Sequence, residues 1–321
     1  MGGALDPVVA AGRNQVRRVL ADLGAGSRLV VGASGGADSL ALAAVTAFVA
    51  SRESWSLHAV VVDHGLQAGS REVAAVAADQ LATLGVDAEV VTVEVGTDGG
   101  PEAAARAARL AALADAAGRT DADAILLAHT LDDQAETVLL GLGRGSGPRS
   151  IAGMAERDGP WRRPFLTLRR ADTEQICRAS GLTWWVDPHN SDPAYRRSRI
   201  RTEVMPVLED VLDGGVAGAL ARTADQVRAD NDLLDDLAAQ VGEPHDVRTL
   251  GSLPPALRSR VLRRAALAAG ADPSALGAVH LAGLDRLVTS WRGQQRIELP
   301  GGVSAGRTGP SLTFTTTPVG Q

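Results

Sequence analysis

The apolar positions of the chain fall first into a helical spacing over residues 8–23. The run Arg28-Leu29-Val30-Val31-Gly32-Ala33 is then short, β-branched and closed by small residues, which predicts a buried strand. After Ser34–Ser39 the apolar stretch Leu40–Ala50 predicts a helix. Leu57–Val62 predicts a second strand, ending at Asp63-His64-Gly65, and Ser70–Leu84 a helix closed by Gly85. Ala88–Val95 predicts a third strand, Glu102–Ala117 a helix, and Ala124–Ala128 a fourth strand. His129-Thr130 then leads into the helix Leu131–Leu142. Strands alternating with helices imply an α/β fold, a parallel Rossmann-like sheet covered by helices on both faces.

Beyond residue 142 the alternation stops. A glycine- and arginine-rich loop, GLGRGSGPRS, comes first. Glu203–Val241 reads as acidic helix without a strand-like run, and Pro254–Ala269 and Leu276–Trp291 read as two further helices. Gln295–Leu299, Gly302–Gly306 and Ser311–Thr315, separated by Gly and Pro, read as a small antiparallel meander. The expected organisation is a catalytic domain over residues 1–206 and a helical linker with a small C-terminal domain over 207–321.

Composition narrows the chemistry. With 321 residues, 45% of them hydrophobic, the chain can bury one large core and a smaller one. A single cysteine, Cys177, excludes a disulfide framework, a cysteine zinc site, an iron–sulfur cluster and a CxxC pair. All 32 basic residues are arginine, which excludes a Schiff-base lysine and a Walker A loop. The net charge of −6 argues against a wholly basic nucleic-acid binder. Residues 157–201 nevertheless carry ten arginines against five acids, and residues 248–307 nine against three. These stretches are either solvated faces or surfaces for RNA phosphate. No apolar run reaches the roughly 18 residues of a membrane span, and Asp6-Pro7 interrupts the place where a signal peptide has its apolar stretch. The expectation is a cytoplasmic protein with no membrane partner.

Ser34-Gly35-Gly36-Ala37-Asp38-Ser39 stands between the first strand and the first sheet-covering helix. Free N–H groups at a helix N-terminus make an anion site there, and residues without Cβ let backbone approach phosphate. Asp38 cannot meet an anion directly, so it either holds a magnesium ion or fixes the loop. The spacing does not fit GxGxxG, which disfavours a dinucleotide fold.

SGGADS resembles the PP-loop of ATP pyrophosphatases. Further segments are similar to one family of that superfamily, the tRNA(Ile)-lysidine synthases: Val62-Asp63-His64-Gly65-Leu66 with Ser70, Glu102-Ala103-Ala104-Ala105-Arg106-Ala107-Ala108-Arg109, and His129-Thr130-Leu131-Asp132-Asp133-Gln134-Ala135-Glu136-Thr137. Arg144-Gly145-Ser146-Gly147, Arg163-Pro164-Phe165-Leu166, Asp187-Pro188-His189-Asn190 and Arg199-Ile200-Arg201 up to Pro206 extend the likeness. The sequence departs from the family pattern at Ser198 and at Ser150-Ile151.

The resemblance implies that ATP, with Mg2+, adenylates the 2-oxo group of the wobble cytidine in an isoleucine tRNA with a CAU anticodon. Free L-lysine then displaces AMP and leaves lysidine. It implies a catalytic set of Asp38, Asp133 and Glu136, with Asp38 as the magnesium ligand. ATP would meet Ser34, Gly35, Gly36, Ala37, Asp38, Ser39, Val62, His64, Arg106 and His129. Lysine would meet Asp133, Glu136 and Arg109, and tRNA would meet Arg144, Arg196, Arg199 and Arg201. A homodimer is compatible with this reading.

The residues themselves leave alternatives. Asp133 and Glu136 share a helical face; they form either a site for cationic lysine or a solvated acidic first turn favoured by the helix dipole. Arg106 and Arg109 either face a phosphate or carboxylate or decorate a surface helix. His64 and His129 are structural or touch ATP, and lack the neighbours of a metal site. Trp184-Trp185 reads as core before a stacking platform, and Cys177, in a helix Thr173–Ala179, as a small buried hydrophobe. Competing functions are another PP-loop enzyme (an amidoligase or tRNA thiolase) and a non-enzymatic adenine-nucleotide module. The thiolase lacks its cysteines, the amidoligase lacks a glutaminase domain, and the module leaves the acidic turn and basic C-terminal third unexplained.

Overall fold

The computed structural model describes residues 6–65, 69–96, 100–145, 147–242, 245–293 and 296–316. Leu66, Ser146 and Gln295, each part of an expectation above, lie outside them. Two compact units emerge: Met1–Leu139 with Met154–Ala221, and Leu140–Gly153 with Arg222–Gln321. Residues 140–153 thus belong with the second unit and residues 207–221 with the first.

In the first unit α1 (Pro7–Val19) precedes β1 (Arg28–Ala33), α2 (Ala37–Glu53), β2 (Ser56–Asp63), α3 (Ser70–Thr83), β3 (Asp87–Thr92), α4 (Pro101–Thr120), β4 (Ala124–Leu126) and the start of α5 (Leu131–Arg144). The sheet order is β3-β2-β1-β4-β6-β5, with β5 at Arg157–Asp158 and β6 at Trp161–Arg162. Every pairing is parallel except β5 with β6. The last two strands, of two residues each, are too short for a period-2 pattern and the sequence reading lacks them.

Both faces of β1 are buried, which explains its unbroken apolar run. Leu29 and Val31 face a core built with Leu40, Val49, Leu81, Phe165 and Ile176. Val30 faces the opposite way, into a core with Val60, Leu113, Ala116 and Ile125. The first core draws on α1, α2, α3 and a later helix, and α4 covers the other face.

After α6 (Pro148–Ile151) of the second unit, the first unit continues with α7 (Arg170–Ala179), α8 (Arg196–Arg199), a π-helical turn over Ile200–Val204 and α9 (Met205–Val211). The expected helix Glu203–Val241 is broken, since Gly214 and Gly215 take φ of +84° and +73° and α10 starts only at Val216. Left-handed backbone ends a right-handed helix, and glycine adopts it without a Cβ clash.

The second unit holds α11 (Val247–Ser252), α12 (Pro255–Ala268) and α13 (Ala278–Thr289). Its antiparallel meander is β7 (Ile297–Leu299), β8 (Val303–Thr308) and β9 (Ser311–Thr316). Leu250, Val261, Leu262, Leu284, Leu287, Val303 and Leu312 form its own core.

Candidate active site

The glycine loop sits at the C-terminal edge of β1, where ligands of open α/β sheets bind. Gly35 takes φ +76°, and a Cβ there would meet Val73 Cγ1 at 3.3 Å and Ala77 Cβ at 3.4 Å. Its carbonyl accepts from Trp185 N–H at 2.9 Å. Ser39 Oγ closes the turn, accepting from Ser34 N–H at 3.0 Å and donating to Gly36 O at 3.0 Å. Ser39 is therefore committed to the loop's own geometry. The N–H groups of the first turn of α2, which have no intrahelical acceptor, remain to meet an anion. Val62 is a buried residue of β2.

The acidic residues are gripped by the start of α7, a feature absent from the sequence-based site. Asp38 Oδ1 accepts from the Thr173 hydroxyl, and Oδ2 lies 3.4 Å from Arg170 Nε. Burial pushes the Asp38 carboxyl up, with Asp133 adding to the effect and Arg170 opposing it. Arg170 Nη2 donates to Asp133 Oδ1 at 3.0 Å, and Arg170 N–H to Asp132 Oδ2 at 2.8 Å. Asp132 also meets Arg169 Nη1 at 2.8 Å. The other oxygen of Asp133 accepts from Thr130 N–H at 2.9 Å and its hydroxyl at 3.0 Å, an arrangement that caps α5. Burial would raise the Asp133 carboxyl, but Arg170 and Thr130 hold it below the usual range.

Glu136 is 1% exposed and accepts from Arg201 Nε at 2.8 Å and Nη2 at 3.2 Å. Burial raises its carboxyl despite Arg201. A cavity of about 420 Å³ opens here, lined by Asp132, Glu136, Arg169, Arg170, Arg201 and Glu209 among others. Asp133 and Glu136 thus lie side by side as expected, each already facing a guanidinium.

Arg106, Arg109 and His129 gather beside them. Arg106 Nη1 lies 3.4 Å from His129 Nε2. Burial, then the charge of Arg106, lowers Arg109 to about 10, while Asp133 opposes the shift. Burial also pushes His129 down to about 3, and Arg109 and Arg106 add to it. His64 is lowered by burial and then by Arg109. The buried atoms Arg109 Nε, His129 Nδ1 and His64 Nδ1 have no hydrogen-bond partner among the described residues. An anion would satisfy such a cluster of cations and idle donors.

The arginines expected to meet tRNA separate. Arg196 and Arg199 are exposed, Arg199 pairing with Glu203 at 2.8 Å. Arg201 is turned inward onto Glu136, so an exposed phosphate contact from it is not what the fold presents. Arg197, absent from the sequence-based set, turns the same way and donates to Thr137 Oγ1 at 3.3 Å. The spacing held the signal: 197 and 201 are one helical turn apart, as are 196 and 199. Arg144 is exposed in the second unit. Ser198 is buried and donates to Asn190 O at 3.0 Å, and Ser150 Oγ donates to Gly147 O at 2.7 Å. Trp184 packs against the main core, and Cys177 is buried with Sγ 3.3 Å from Ala37 O, its thiol pushed up to about 12. No described helix is long and apolar enough to cross a membrane.

Comparison with known proteins agrees with this architecture. A PP-loop domain family matches residues 11–208, and a TilS substrate binding domain family matches residues 246–308. The chain is 55% identical over 303 residues to the tRNA(Ile)-lysidine synthase of Thermobifida fusca (strain YX), covering 92% of this chain and 94% of that protein. It is 53% identical to the tRNA(Ile)-lysidine synthase of Mycobacterium bovis, over 89% of this chain and 87% of that one. For that of Salinispora tropica the identity is 49%, over 97% of both. Among solved structures, the U34-tRNA thiolase NcsA from Methanococcus maripaludis, which carries a 4Fe-4S cluster, shares the fold. Its TM-score is 0.58 at 18% identity, over 68% of this chain and 79% of that one. Identity near one half, sustained along nearly the whole of several relatives, leaves one assignment: the chain belongs to the tRNA(Ile)-lysidine synthase family of PP-loop proteins.

Proposed function

We propose that the chain is a ligase that uses ATP to form lysidine on an isoleucine tRNA. The observation that carries this reading is the convergence of Asp38, just after the loop glycines, and Asp133 on Arg170 at the start of α7. Glu136 stands one turn further along α5, and the buried Nε of Arg109 has no hydrogen-bond partner among the described residues. The N-terminal turn of α2 receives the phosphates of ATP, with Arg106, His64 and His129 beside them. The cytidine 2-oxo oxygen bonds to the α-phosphorus as the α–β phosphoanhydride breaks, releasing pyrophosphate. The lysine ε-amine then bonds to C2 as the C2–O bond breaks, releasing AMP.

That amine must be neutral to attack, and at a pKa near 10.4 only about one molecule in a thousand is neutral near pH 7.4. In this reading Asp133, held as a carboxylate, attracts the cation. Glu136, raised by burial, accepts a proton more readily at the site. The idle buried Nε of Arg109 suits the carboxylate of the amino acid.

The described residues contain no group of three or more His, Cys, Asp or Glu arranged for a metal. Magnesium commonly takes one or two carboxylates, with phosphates and water supplying the rest. Asp38, partly exposed and with one lone pair on each oxygen left beyond its contacts to Thr173 and Arg170, would be the carboxylate to hold it. When bound, the ion would neutralise phosphate charge. Arg144, Arg196 and Arg199 are the proposed tRNA contacts, and the cytoplasm is the compartment that fits a tRNA substrate.

The reading is tested by pyrophosphate release from ATP with free lysine and a CAU-anticodon isoleucine tRNA transcript. Release that needs all three, with lysine incorporated into the RNA, is expected. Release coupled to sulfur or ammonia transfer instead would point to another PP-loop chemistry.

A further inference from the structure

One guanidinium joins the two halves of the site. Arg170 reaches Asp38 of α2 through Nε, at 3.4 Å, and Asp133 of α5 through Nη2, at 3.0 Å. Its backbone N–H holds Asp132 at 2.8 Å, so the residue is tied to α5 at two points. Thr173, fully buried one turn on, donates to the remaining oxygen of Asp38 and lies 2.7 Å from Arg170 O. A planar guanidinium fixes both the separation and the orientation of the Asp38 and Asp133 carboxylates. An ammonium is a single point of charge and fixes neither.

We propose that Arg170 is a positioning residue, whose fork holds the nucleotide-loop carboxylate Asp38 and the lysine-site carboxylate Asp133 in one frame, so that adenylated cytidine and amine meet in line. This rests on the reading that Asp38 serves ATP and Asp133 serves lysine. The α7 N-terminus is then the element that transmits the order of one site to the other. Thr173 assists on the nucleotide side alone.

The test uses the full chain, ATP, lysine and the CAU-anticodon transcript, with kcat and both KM values measured alongside thermal unfolding. Arg170→Gln and Arg170→Lys should each lower kcat about a hundredfold, the scale expected for a misplacement near 1 Å, and raise KM for both ATP and lysine. Thr173→Val should raise KM for ATP while KM for lysine stays within about twofold. Arg178→Ala, which removes an exposed pair on the same helix, should leave kcat unchanged. Wild-type kinetics in Arg170→Lys would overturn the inference, because charge without the fork would then suffice. So would an Arg170→Gln enzyme that unfolds earlier yet keeps both KM values and kcat. Asp38→Asn with normal ATP handling, or Asp133→Asn with normal lysine binding, would instead sink the underlying assignment of the two sites.

Discussion

At the scale of single residues, burial and the partners met inside the fold together set the direction in which each carboxyl shifts. Asp133 and Glu136 are neighbours on α5, yet one is held ionised by Arg170 and Thr130 and the other is raised by burial. Replacing either by Ala should raise KM for lysine far more than KM for ATP, with tRNA adenylation retained. Loss of ATP binding with normal lysine binding would move the pair to the nucleotide side. His129 is lowered to about 3, against about 6.5 for an unperturbed imidazole. Between those values the unfolded chain binds a proton that the folded chain does not, so this group's contribution favours folding less as pH falls below about 6.5. Thermal unfolding from pH 7 to pH 5 should therefore show a smaller fall in midpoint for His129→Gln than for the wild type. Equal falls would mean that His129 is not buried neutral.

At the scale of elements, helix ends do the organising. Asp6 caps α1, accepting from Val8 N–H at 2.8 Å, and Asp133 caps α5 while facing the site. Glu209 accepts from Val216 N–H at 3.0 Å and Ala217 N–H at 3.2 Å, bridging the glycine break to satisfy the start of α10. Its carboxyl is lowered chiefly by the Val216 hydrogen bond. Glu209→Ala should cost about 1 kcal/mol, the usual size of a lost cap, read as a lower midpoint in denaturant. An unchanged midpoint would show that α10 needs no such partner. The π-helical turn at Ile200–Val204 follows α8 and carries Arg201 to Glu136. Such turns re-aim side chains within otherwise regular helix.

At the scale of the whole molecule, a net charge of −6 coexists with arginine-rich stretches. Binding of tRNA should weaken with salt, each phosphate contact contributing about 0.7 to 0.9 to the slope of log affinity against log salt. Arg196→Ala with Arg199→Ala should reduce that slope by about 1.5. Adding Arg201→Ala should change it little, because that guanidinium faces Glu136. A slope unmoved by the double variant would send the RNA path to residues 248–307.

The order of strands and helices through residue 142, the loop Ser34–Ser39 and the pairing of Asp133 with Glu136 were legible in the chain alone. They are local: a period of two or 3.6 and a fixed spacing encode them. The meander at the C-terminus was legible for the same reason, through its Gly and Pro punctuation. Tertiary structure alone decided that Arg169, Arg170 and Thr173 belong to the site, because they reach Asp38 and Asp132 across more than a hundred and across tens of residues of chain respectively. It also decided which way Arg201 points and where the long acidic helix breaks. A buried carboxylate takes whatever partner the fold delivers, and that partner leaves no mark in the sequence around it.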